Sequence, residues 1–126
     1  MNVKKKLLGS LLIGCLALPT AAMAASYSSS YDMTGGVYSS DISMGANRNV
    51  TVKTTPRVNE AGSGAKIFLF LEENTWYGYA DRGSSWNSAS NVDTSTEMKT
   101  KGAGKYRVYL RNKTGMRMAG SVYISD

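Results

Sequence analysis

The residues best suited to chemistry are cations that alternate with apolar residues near the end of the chain. In the stretch GKYRVYLRNKTGMRMAGSVYIS, residues 104–125, one side of a period-2 repeat carries Lys105, Arg107, Tyr109 and Arg111. The other side carries Tyr106, Val108 and Leu110. Between residues 98 and 125 the chain has seven Lys or Arg and no Asp or Glu. This period is typical of a strand with one buried face, so the cations are expected on the exposed face.

The same stretch predicts a β-hairpin. The turn NKTG favours a three-residue loop with Gly115 in the left-handed conformation, which would pair Asn112 with Met116. That register would bring Arg117 and Tyr123 onto the cationic face. Like charges in such positions repel one another, and a polyanion would relieve the repulsion and release counterions. The alternative is a solvated face whose cations guard a sheet edge against aggregation.

Aromatic residues form a second candidate site. The stretch NTWYGYADRGSSW, residues 74–86, contains Trp76, Tyr77, Tyr79 and Trp86. Exposed rings of this kind can stack on sugar rings, and Asn74, Asp81 and Arg82 could add hydrogen bonds. A small domain first needs its tryptophans for packing, so Trp76 is expected in the core. Trp86 lies in a predicted polar loop and is the aromatic residue expected to be exposed and available for contact.

The sequence offers no convincing catalytic or metal-binding set. It has no histidine, and its single cysteine is Cys15. Glu72 and Glu73 are adjacent, so on a strand they would point to opposite faces and could not act together. The segment DRGSS supplies only Asp81, whereas calcium takes six to eight oxygen ligands. We therefore predict no catalytic residue, no metal ligand and no cofactor.

The first 24 residues predict a secretory signal peptide. Three lysines precede an apolar run and Pro19, and Ala22 and Ala24 form an A-x-A cleavage site. The alternative is a lipobox, LIGC, in which Cys15 would carry lipid. The apolar run is too short for a transmembrane anchor. The layout resembles bacterial Sec signals, so the mature chain is expected to start at Ala25 and to be extracellular, or periplasmic in a Gram-negative source.

Residues 25–126 predict one small domain without cysteine. Removing Lys4, Lys5 and Lys6 leaves twelve basic and nine acidic residues. A flexible Ser/Tyr-rich start is expected at 25–36 and a β-sandwich at 37–126. About seven short strands with frequent turns predict a single antiparallel sandwich, immunoglobulin-like or jelly-roll-like.

The segment AKIFLFLEEN is expected to form the central strand of this sandwich, with Phe68, Leu69 and Phe70 buried on both sides. It should turn at Glu73–Asn74 into TWYGYA, and DRGSSWNSASN should follow as a loop.

These features favour a secreted, non-catalytic protein that binds an anionic surface or polymer through its basic C-terminal hairpin. The partner could be teichoic acid, anionic lipid headgroups, acidic polysaccharide or extracellular DNA. The alternatives are an antimicrobial or toxin-like protein, and a structural matrix or surface subunit that associates with copies of itself through its Ser/Tyr-rich start.

Overall fold

The computed structural model describes residues 24–126. The predicted signal peptide, apart from Ala24, and the lipobox alternative at Cys15 lie outside the described residues. Nine strands follow one another in these residues: β1 Ser26–Met33, β2 Gly36–Tyr38, β3 Ile42–Met44, β4 Asn49–Asn59, β5 Lys66–Thr75, β6 Gly78–Ser88, β7 Thr94–Lys99, β8 Gly104–Arg111 and β9 Met118–Ser125. The described part of the chain has no helix.

The strands form two antiparallel sheets packed face to face, which confirms the predicted all-β sandwich. One sheet has four strands in the order β1-β9-β4-β7. The other has five: β2-β8-β5-β6, with β3 also paired to β8. The stretch 25–36, expected to be a flexible start, instead contains β1, which pairs with β9 from Ser26 to Met33.

The core follows directly from alternation along the strands. Each inner face contributes every second residue, because successive side chains of a strand point to opposite sides. The largest fully buried apolar side chains are Val50 and Val52 of β4, Ile67, Leu69 and Leu71 of β5, Tyr106, Val108 and Leu110 of β8, and Met118 and Ile124 of β9.

Strand β5 is central, as predicted, because it pairs with both β6 and β8. The prediction that both of its faces are buried is wrong, however. Leu69 is fully buried, whereas Phe68 and Phe70 are partly exposed on the outer side of the sheet. No third layer covers that side in the described part of the chain, so the two phenylalanines remain at the surface.

The predicted C-terminal hairpin does not exist. Strand β8 pairs with β5, β2 and β3, whereas β9 pairs with β1 and β4 in the other sheet. The connecting loop therefore crosses from one sheet to the other. Gly115 does adopt a left-handed conformation, with φ of 78°. The predicted inner sides of both strands are nevertheless correct, because an inter-sheet crossing and a hairpin bury the same side chains of the two strands.

The hairpin of β5 and β6 is longer than predicted. It turns at Trp76–Tyr77 rather than at Glu73–Asn74, with Thr75 opposite Gly78. Gly78, with φ of 122°, provides the backbone conformation that this tight turn requires. The stretch 81–88, expected to be a loop, belongs to β6 and pairs with β5.

Candidate binding face

The outer side of the five-stranded sheet collects most of the predicted site residues. Strand β8 contributes Lys105, Arg107, Tyr109 and Arg111, which point away from the core because Tyr106, Val108 and Leu110 point into it. Strands β2, β5 and β6 add further aromatic side chains on this side. We call this surface the outer aromatic face and define it by Tyr38, Phe68, Phe70, Trp86 and Tyr109.

Strand pairing brings these rings side by side. Tyr38 lies opposite Tyr109 in the β2–β8 pair, with ring centroids 4.4 Å apart, and Phe70 lies on the other side of Tyr109 at 5.9 Å. The Tyr109 ring covers Gly36, where a Cβ atom would collide with it. Gly36 therefore leaves the space in which the Tyr109 ring lies.

The second row of the face runs from Arg111 through Phe68 to Trp86, which are opposite one another in the strand register. Trp86 is 51% exposed. This agrees with its predicted exposure, although it lies on β6 rather than in a loop. The ammonium groups of Lys113 and Lys66 lie 4.2 and 4.3 Å from the ring centres of Phe68 and Trp86. Cations and aromatic rings are therefore interleaved here.

Arg107 is held in the structure rather than free. Its guanidinium lies 3.9 Å from the ring centre of Tyr38 and 3.4 Å from that of Tyr79, and its Nε donates to Glu72 Oε1 at 2.8 Å. Partial desolvation disfavours its charged form, but the hydrogen bond and charge of Glu72 outweigh this and raise the pKa of Arg107. Residues 98–125 contain no acid, but Arg107 has an acidic partner because β5 supplies one.

Tyr79 is fixed at the same end of the face. Its hydroxyl donates to Asp41 Oδ1 at 2.8 Å, and Asn74 donates to Asp41 Oδ2 at 3.0 Å. The hydrogen bond to Asp41 raises the pKa of the Tyr79 hydroxyl. Asp41 thereby links the segment between β2 and β3 to the β5–β6 hairpin and closes this end of the face.

Four cations on or beside the face have no ion pair with a carboxylate in residues 24–126: Lys66, Lys105, Arg111 and Lys113. Lys66 and Lys113 lie over aromatic rings, and Lys105 and Arg111 are exposed at opposite ends of β8. Their positive charge is therefore available to a ligand.

Two predicted site residues lie elsewhere. Arg117 is in the loop before β9, where it makes two 2.9 Å hydrogen bonds to the carboxylate of Asp32. The hydrogen bond from Arg117 lowers the pKa of Asp32, and the same contact raises the pKa of Arg117. Tyr123 is exposed on the four-stranded sheet, opposite Lys53 of β4. The single cationic face that included both residues is therefore wrong, because β8 and β9 belong to different sheets.

The adjacent carboxylates Glu72 and Glu73 have different partners. Glu72 is bound by Arg107, whereas Glu73 accepts a 2.8 Å hydrogen bond from Arg82 Nε. This hydrogen bond raises the pKa of Arg82. In residues 24–126 no group of three or more carboxylate or cysteine side chains is arranged to hold a metal ion. The same residues contain no helix long and apolar enough to cross a membrane.

Trp76 is also not where the sequence predicted it. It is 94% exposed at the tip of the β5–β6 hairpin, with its ring at right angles to that of Tyr77 and the centroids 5.3 Å apart. The core prediction failed because the hairpin extends past the edge of the sandwich.

Sequence reasoning missed five members of the face and its rim: Tyr38, Lys66, Phe68, Phe70 and Lys113. A signal was present in KIFLFL, where aromatic and aliphatic residues alternate strictly. This segment was interpreted as apolar on both sides and therefore buried. Phenylalanine alternates with aliphatic residues in this segment. That alternation identifies the outer side of β5 only once β8 is known to be the neighbour of β5.

Comparison with known proteins assigns this chain to no family. No protein-family model matches the chain, and no curated protein does. Among solved structures the chain is similar to one titled "Crystal structure of PirA", with a TM-score of 0.47 and 15% sequence identity. The match covers 78% of this chain and 91% of that one.

Proposed function

We propose that this chain is a secreted, non-catalytic module that binds an anionic polymer on the outer aromatic face. The observation that carries the proposal is the interleaving of unpaired cations with partly exposed rings on one side of a sheet. Cations such as Arg111 can meet carboxylate, sulfate or phosphate groups, while rings such as Trp86 offer apolar contact. Folding does not require both cations and aromatic rings on the solvent-facing side of a sheet.

Among anionic polymers, an acidic polysaccharide fits this surface best. The face is a sheet surface rather than a groove, and the Tyr38–Tyr109–Phe70 rings pack against one another. Because these rings are stacked on one another, no gap is left in which a nucleic-acid base could insert between them. A sugar chain can instead lie across the row and place its acidic groups near the cations at the rim.

The test is a pair of substitutions on the face, Trp86→Ala and Arg111→Gln, with matched controls on the opposite sheet, Tyr123→Ala and Lys99→Gln. Each face substitution should weaken binding to polygalacturonate about tenfold, equivalent to about 1.4 kcal/mol. The controls should bind as the unchanged protein does. Binding should also fall as salt is raised from 50 to 300 mM, because exposed charges are screened over about 8 Å at physiological ionic strength.

Methyl-esterified polygalacturonate is the matched ligand, because it keeps the sugar chain and removes its charge. Equal affinity for both forms would contradict an anionic ligand. Tighter binding to duplex DNA than to polygalacturonate would identify a nucleic acid instead. Loss of binding in Tyr123→Ala but not in Trp86→Ala would place the site on the four-stranded sheet.

One observation favours a second candidate, a lipid surface. Trp76 and Tyr77 project from the hairpin tip, and such rings are enriched where proteins meet the headgroup layer of membranes. This would suit the antimicrobial or toxin-like alternative. Vesicles containing one-third phosphatidylglycerol distinguish the two: Trp76→Ala should abolish vesicle binding if the tip inserts, and should leave polygalacturonate binding unchanged.

A further inference from the structure

The Asp126 side chain is a buried carboxylate with an unusual partner. Only 2% of it is exposed, and its Oδ1 accepts a 2.6 Å hydrogen bond from the backbone nitrogen of Ala25. The guanidinium of Arg48 reaches the same oxygen at 3.7 Å. A buried charge requires hydrogen bonds and compensating charge, because it has lost its hydration. Both partners of this carboxylate therefore matter to its stability.

Ala25 is held at both of its backbone polar groups. Its nitrogen donates to the side chain of Asp126, and its carbonyl accepts a 3.1 Å hydrogen bond from the Asp126 nitrogen. Strand β1 begins at the next residue and pairs with the end of β9, Ser26 opposite Ser125. Ala24, one residue earlier, is exposed. Ala25 is therefore held by the fold, whereas Ala24 is exposed to solvent.

The A-x-A signal predicts cleavage at this same bond. Hydrolysis by a signal peptidase adds one water, so that Ala24 leaves with a carboxylate and the Ala25 nitrogen becomes an ammonium group. The atom that the cleavage would release is the atom that already contacts Asp126. A neutral amide donor would be exchanged for a charged one without movement of the backbone.

We propose that Asp126 is the built-in acceptor for a free α-ammonium group at Ala25, so that cleavage of the Ala24–Ala25 bond completes an ion pair in the fold. Charge-assisted hydrogen bonds are shorter and about twice as strong as neutral ones. Arg48 alone lies at 3.7 Å, beyond ordinary hydrogen-bond distance. The ammonium group therefore supplies the close positive charge, and the processed chain is more stable than one that keeps residues before Ala25.

All nine strands lie between Ser26 and Ser125, so the exported product keeps every described strand. The experiment exports the full chain from a bacterial host and determines the first residue of the product by mass spectrometry. The α-amine is then acetylated selectively, which restores an uncharged amide and changes little else. Urea unfolding is compared before and after acetylation in the unchanged protein and in Asp126→Asn. Asp93→Asn, which removes an exposed acid paired with Lys53, is the control.

Acetylation should lower the urea midpoint in the unchanged protein and in Asp93→Asn, and should have little effect in Asp126→Asn. An equal loss in all three proteins, no loss in the unchanged protein, or a product that starts at a residue other than Ala25 would overturn the proposal.

A second measurement does not depend on Asp126→Asn folding. The α-amine of the folded product should react with an acylating reagent at pH 8 about fivefold more slowly than that of the peptide ASYSS, the effect of raising its pKa by about one unit from its ordinary value near 8. Equal rates would contradict the ion pair.

Discussion

At the scale of single residues, Tyr31 shows how burial alone alters a side chain. Its ring belongs to the core, and its hydroxyl is buried without a hydrogen-bond partner in residues 24–126. Desolvation raises the pKa of Tyr31 to about 12, although the charge of Arg57 acts in the opposite direction. The hydroxyl also lies next to Gly120, where a Cβ atom would be 2.7 Å from it. A Cβ atom there would collide even more closely with the backbone carbonyl of Thr55, so Gly120 makes room both for the tyrosine and for β4.

Tyr31→Phe should leave the free energy of unfolding at pH 7 unchanged or up to about 1 kcal/mol higher, because it removes an unsatisfied polar group. The unfolded chain ionises Tyr31 near pH 10, before the folded protein does near pH 12. The unchanged protein should therefore lose stability as pH rises from 10 to 12, and Tyr31→Phe should lose less. Urea unfolding at pH 7, 10 and 11 measures this, with Tyr123→Phe as the exposed control. A loss of more than 1 kcal/mol at pH 7 would mean that the hydroxyl has a partner.

At the scale of elements, the crossing from β8 to β9 is organised by one side chain. Asn112 is buried and donates through Nδ2 to the carbonyls of Met33, at 3.2 Å, and Met116, at 2.6 Å. Its Oδ1 accepts hydrogen bonds from the nitrogen and hydroxyl of Thr114. These bonds hold the loop in the shape that carries the chain between the sheets.

Asn112→Ala should destabilise the fold by about 2–3 kcal/mol, because it leaves backbone groups of the crossing without partners in a partly buried loop. Lys101→Ala, at an exposed lysine in another loop, is the control, and an exposed substitution of this kind should change the free energy of unfolding by less than about 0.5 kcal/mol. Urea unfolding measures both. Equal effects of the two substitutions would show that the loop shape does not depend on Asn112.

At the scale of the whole molecule, two sheets share one core, and each sheet has one inner and one outer side. The inner side of β5 is fully buried, whereas its outer side belongs to the proposed binding face. The sheets are also tied together by Asn87 of β6. Its Nδ2 lies 3.1 Å from the carbonyl of Val52 and 3.0 Å from the hydroxyl of Thr54 on β4.

Leu69→Ala should cost about 2–5 kcal/mol, the range for truncating a fully buried side chain. Phe70→Ala should cost less than about 2 kcal/mol, because its ring is partly exposed on the outer side. Phe70→Ala should instead weaken polymer binding, since it removes the support of Tyr109. Urea unfolding and binding to polygalacturonate separate the two effects. A greater loss of stability in Phe70→Ala than in Leu69→Ala would contradict this division of β5.

The sequence by itself determined the class of fold and the inner and outer sides of most strands. Alternation has a local cause, because the geometry of a strand sends successive side chains to opposite sides whichever strand lies next to it. This local rule predicted that Val108 and Leu110 lie inside and that Arg111 is exposed. Trp86 was expected to be exposed for another local reason, the polar residues around it. The left-handed Gly115 was also a local prediction.

Only the tertiary structure decided which strands are neighbours. A crossing between sheets and a hairpin satisfy the same alternation, so the pattern could not separate Arg117 and Tyr123 from the face that carries Arg111. Nor could it bring Glu72 to Arg107, 35 positions along the chain, or Ala25 to Asp126, 101 positions away. Such contacts depend on how all nine strands share two sheets, and that choice is made by the free energy of the whole core rather than by any one segment.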